Sequence, residues 1–93
     1  MEKIMAKIIK FLKEKKIIDE LKKELDPSNM IKLGIDLDDN QKLKYIELII
    51  LQKIIVENEE FHKELRKELG DYTGRTIRMA SKKVLSIINE NDK

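Results

Sequence analysis

Between Arg75 and Lys83 the chain carries Arg75, Arg78, Lys82 and Lys83 and no acid. At 100° per helical residue, Arg75, Arg78 and Lys82 fall within about 60° of one another. They lie opposite an apolar stripe formed by Ile77, Ala80, Val84, Ile87 and Ile88. A cationic row on the outer face of a helix, with the small hydroxyl residues Thr76 and Ser81 beside it, is what phosphate contact and major-groove entry require. Thr73, just upstream, suits an N-cap, and with the first free amides of the helix it would hold a phosphate. Thr73, Arg75, Thr76, Arg78, Ser81, Lys82 and Lys83 are therefore the positions this sequence offers to an anionic ligand, of which DNA is the most concrete.

The surrounding stretch, EFHKELRKELGDYTGRTIRMASKKVL from Glu60 to Leu85, reads as helix, glycine turn, helix. It resembles the outline of a helix-turn-helix, in which a Leu-Gly turn precedes the second helix. That resemblance implies a reading helix beginning near Arg75. Two features depart from it. The turn is about one residue longer than the compact form of the motif, and Arg66 stands where a small residue usually lets the two helices approach.

Other reactive residue types form weaker constellations. Asp36, Asp38, Asn40 and Glu47 match oxygen positions of an EF-hand loop, but Gln41 stands at the glycine position and Lys44 at a ligand position. Those acids fit helix capping better. His62 is the only histidine and has no second ligand at metal spacing, so it reads as a surface or half-buried residue. Ser28, Ser81 and Ser86 lack a histidine and an acid in any triad arrangement. Glu59, Glu60, Glu64 and Glu68 sit among lysines at i,i+4 ion-pair spacing. The three glycines are isolated turn residues rather than a phosphate loop. The chain is expected not to be an enzyme and to need no metal or cofactor.

These residues must be positioned by helices. The 93 residues contain no cysteine and no tryptophan, 41% are charged, and the formal net charge is only +2. Disulfides and thiolate chemistry are excluded, aromatic stacking platforms are disfavoured, and bulk charge predicts no partner. The basic start, MEKIMAKIIKFLKEKK, has lysines at every turn and so lacks the unbroken apolar core of a secretion signal; the expected location is cytoplasmic. Tyr45–Val56, YIELIILQKIIV, is apolar nearly all round, which predicts a central rod buried by neighbours on more than one side, whether within the chain or in a homodimer. It is too short to span a membrane.

Around that rod, one helix is expected from about Glu2 to Leu25, its stripe moving from Met1, Ile4, Met5, Ile8, Phe11 and Leu12 to Ile18, Leu21 and Leu25 across Lys13–Lys16. Asp26-Pro27 ends it. A short helix follows to Leu33, closed by Gly34. A helix capped at Asp38 or Asp39 contains the rod and runs to Leu69, with a break at Glu57–Asn58 as the alternative. The last helix spans Arg75 to about Asn89. The expected architecture is one all-α domain, 1–93: a small bundle of three to four main helices with a helix-turn-helix-like C-terminal pair. The expected function is a small regulatory binding protein acting on DNA. Its rival is a protein-interaction bundle of the inhibitor, adaptor or immunity type, of phage or mobile-element origin. The lysine-rich N-terminal helix would suit an anionic membrane surface only if it left the rod uncovered.

Overall fold

The computed structural model describes residues 2–90; Met1, the first residue of the expected N-terminal stripe, lies outside them. The described residues form an all-α structure of six helices with one π-helical turn. They are α1 (Glu2–Glu14), α2 (Ile17–Glu24), α3 (Pro27–Leu33), α4 (Asp39–Leu51) running into the π turn (Gln52–Val56), α5 (Glu59–Leu69) and α6 (Arg75–Glu90). None of these helices is long and apolar enough to cross a membrane.

The single helix expected from Glu2 to Leu25 is two helices. Lys16 adopts a left-handed backbone, φ 60°, and its amide bonds back to Lys13 O at 3.0 Å. The cause is the phase shift between the two stripes. Ile8 and Leu12 of α1 and Ile17, Ile18 and Leu21 of α2 are all buried, and no straight helix could point both sets at one core. A left-handed residue resets the direction, at a cost of about 1–2 kcal/mol for a side chain with a Cβ. The surrounding Lys13–Lys16 segment is exposed, so core packing does not oppose the break.

The next boundaries follow local rules. Pro27 opens α3 and Asp26 accepts from Ser28 N. Gly34 closes it at φ 69°, with Ile35 N bonding Met30 O at 2.9 Å, the left-handed close that glycine permits without strain. Asp38 and Gln41 form a reciprocal capping box for α4: Gln41 N donates to Asp38 Oδ1 at 2.8 Å and Asp38 N to Gln41 Oε1 at 3.0 Å.

The rod is not covered all round. Ile46, Ile50 and Ile54 are buried and Tyr45, Ile49 and Leu51 half-buried, but Leu48 and Val56 remain 67% and 72% exposed and Ile55 is also open to solvent. Nor does its helix continue to Leu69. Buried residues four apart drift about 40° per step on an α-helix; widening to i→i+5 bonding in the π turn offsets that drift and keeps Ile54 in the core. The chain then breaks at Glu57–Asn58, as in the alternative. Asn58 leaves helical geometry at φ −137°, its side-chain amide donates to Lys53 O at 2.8 Å, and α5 starts afresh.

α5 is fixed largely from its sides. Leu65 is buried, Phe61 stacks on Phe11 of α1 with ring centroids 4.2 Å apart, and Lys7 Nζ bridges Glu64 Oε1 at 2.7 Å and Glu68 Oε1 at 3.0 Å. α6 packs on α4, α1 and α2, whereas α5 packs on the π turn. One core cluster joins Ile8 and Leu12 to Ile46, Ile50, Leu65 and Val84.

Candidate binding face on α6 and α1

The start of α6 is set by its preceding turn. Gly70 takes φ 74°. Asp71 Oδ1 accepts from Thr73 N at 3.1 Å and Thr73 Oγ1 at 2.6 Å, and these bonds, with the charge of Arg66, hold its carboxyl below the usual range. Tyr72 is fully buried, and its hydroxyl lies 2.5 Å from His62 Nδ1. Burial raises the phenol's pKa, Arg66 opposing. This anchor ties the turn to α5 and fixes which face α6 presents.

The seven residues singled out from the sequence separate on that face. Arg75, Lys82 and Lys83 are exposed. Thr73 is exposed, but its hydroxyl is spent on Asp71 and it lies one residue before the cap position. Thr76 and Ser81 do not flank a solvent row: they are 7% and 0% exposed, and Ser81 Oγ donates to Ile77 O at 2.8 Å. On the helical wheel they border the apolar stripe on its two sides, and packing on α4 and α1 covers both borders. Arg78 points out, yet its Nε meets Glu47 Oε1 of α4 at 3.3 Å. Lys82 borders a shallow cleft with Leu43 and Leu85 that also holds Asp39 and Glu90. The basic row is thus partly neutralised on its α4 side.

On its α1 side it is not. Met79 and Lys83 form one wall of a groove of about 730 Å³ whose other wall is Met5, Ala6, Ile9, Lys10, Lys13 and Glu14. Apolar residues and lysines line both walls. Lys10 lies 3.9 Å from Glu14, an exposed i,i+4 pair of the kind worth little in water. Lys13 and Lys83 have no ion-pair partner among the described residues. Neither helix announces this site on its own; the available signal was the excess of lysines on α1 and a methionine off the apolar stripe of α6.

A second cleft, about 330 Å³, is lined by His62, Arg66, Asp71, Tyr72 and Thr73. Its polar groups largely engage each other, and the Tyr72 hydroxyl faces the only histidine. Among the described residues no group of three or more His, Asp or Glu is placed to hold a metal ion. Of the acids compared with an EF-hand, Asp38 is taken by its capping box and Glu47 by Arg78. Set against protein-family models, curated proteins and solved structures, the chain shows no significant match to any of them.

Proposed function

We propose that this chain is a small non-enzymatic interaction module that holds an acidic protein partner on the face shared by α1 and α6, in the manner of an inhibitor, adaptor or immunity-type protein. The observation that carries this is the groove's composition: Met5, Ala6, Ile9 and Met79 together with Lys10, Lys13 and Lys83, three cations against the single acid Glu14. Phosphate backbones are met by cations and polar donors and gain little from thioethers. Protein surfaces use both: methionine is enriched at interfaces and adapts its shape to a partner, and rim charges steer encounter.

DNA is the second reading, favoured by the exposed Arg75, Lys82 and Lys83 with no acid in their stretch of sequence. The burial of Thr76 and Ser81 and the Arg78–Glu47 pair speak against it. Fluorescence anisotropy separates the two. Labelled poly-L-glutamate should bind the wild type and lose binding in Lys13→Glu with Lys83→Glu, while a random duplex should bind weakly or not at all at about 50 mM salt. Duplex binding that collapses by about 200 mM salt, disappears in Arg75→Ala with Lys82→Ala and ignores Lys13→Glu would transfer the face to nucleic acid. A homodimer would use a different surface, the open Leu48, Ile55 and Val56, because the groove's lysines would repel their own copies.

A further inference from the structure

We infer that the groove between α1 and α6 receives an acidic amphipathic α-helix; this rests on the acidic-protein reading above and narrows it to one kind of segment. The first argument is backbone satisfaction. An extended peptide needs a sheet edge to pair with, and the described residues contain no strand. A polyproline segment needs an aromatic-lined groove, whereas Phe11 and Phe61 are stacked on each other between α1 and α5. A helix satisfies its own amides and needs only an apolar furrow, which two helix walls provide.

The second argument is dimension and shape. The α1 wall runs from Met5 to Glu14, about 13 Å at the rise of 1.5 Å per residue, or roughly two and a half turns of a guest helix. Ala6 is small enough to let a backbone come close, and Met5 and Met79 are flexible enough to close around residues spaced i, i+3 or i+4, and i+7.

The third argument is charge. Lys10 and Lys13 belong to one wall and Lys83 to the other, against the single acid Glu14, so acids on both flanks of the guest's apolar stripe meet cations. The same lysines reject a second copy of the chain, since a two-fold axis here would oppose like charges. A membrane surface fits poorly as well: Ile8, Ile9 and Leu12, the apolar core of α1, are buried, and what remains reachable is concave, whereas lipid insertion needs an apolar face laid into the interface.

The test uses fluorescein-labelled peptides of about fourteen residues, about 21 Å as a helix and so long enough to span the groove: leucines at i, i+3, i+4 and i+7 flanked by glutamates, and a scrambled peptide of identical composition. Each is titrated with the wild type, Met79→Glu, and Lys13→Glu with Lys83→Glu, all checked by circular dichroism for intact fold. The patterned peptide should bind at least about tenfold tighter than the scrambled one, lose that advantage in both variants, and show helical ¹³Cα shifts when bound. Equal binding of the scrambled peptide overturns the helix inference and leaves the acidic-partner reading standing. Failure of both peptides and of poly-L-glutamate overturns both.

Discussion

Tyr45 shows how a single contact carries a pH signature. Its hydroxyl donates to Glu24, joining α4 to α2, and that bond, with burial and the nearby carboxylate charge, pushes the phenol up to about 12. The folded value lies above the ordinary one of 10.0, so the fold favours the neutral phenol. The contribution is complete below about 10 and is lost as pH rises through about 12. Urea midpoints of wild type and Tyr45→Phe should differ by a constant amount up to about pH 10 and converge above it; a gap unchanged at high pH would contradict this. Asp71 has the opposite sign. Its pKa is depressed first by the Thr73 hydroxyl, so its contribution is present above the usual carboxylate value and disappears as pH falls through the lowered one. Thr73→Val should therefore move the Asp71 carboxyl ¹³C titration upward. At this scale the sequence told residue type but not surroundings. Arg75, Lys82 and Lys83 could be placed outside from charge alone, whereas Thr76 and Ser81 lie on the borders of the stripe, where only the positions of α4 and α1 decide burial.

The two helix breaks belong to the element scale. The phase change across Lys13–Lys16 was visible as a displaced stripe, but lysine is not a residue that announces a left-handed turn, so one continuous helix was expected. The structure predicts that Lys16→Gly, which removes the strain at φ 60°, leaves the fold intact and raises stability by about 1 kcal/mol. Gly34→Ala should lower it by about 1–2 kcal/mol, although nothing lies within 4 Å of the added Cβ, because φ is +69°. Urea denaturation of the two variants checks both signs. The start at Asn58 was visible only as an alternative to a continuous helix, from its type and the acids after it, and its side chain makes no cap bond to α5 but donates back to Lys53 O. The π turn was not, since the spacing of Ile46, Ile50 and Ile54 is compatible with an α-helix until one asks which of them must remain inside. The boundary at Asp26-Pro27, the cap at Asp38 and the close at Gly34 were legible because each depends only on neighbours within a few residues.

For the molecule as a whole, the all-α class followed from periodicity, but the packing order did not. The most apolar segment suggested a rod enclosed at the centre, whereas α6 holds the position shared by α4, α1 and α2, and the rod leaves Leu48, Ile55 and Val56 in solvent. The candidate site is a consequence of that order. It exists only where the two ends of the chain are brought side by side, and periodicity within either helix carries no information about the pairing. What remained legible was half of each wall: the lysines of α1 and the basic face of α6. We propose that this pairing makes a partly apolar, lysine-lined groove for an acidic protein. Its most direct test is the methionine-methyl ¹H–¹³C spectrum of the full chain during titration with the patterned acidic peptide. Met5 and Met79 line the groove and Met30 is on the buried face of α3, so the Met5 and Met79 signals should shift together while Met30 stays fixed. Unmoved Met5 and Met79 signals at saturating peptide, or equal movement of all three, would contradict the account.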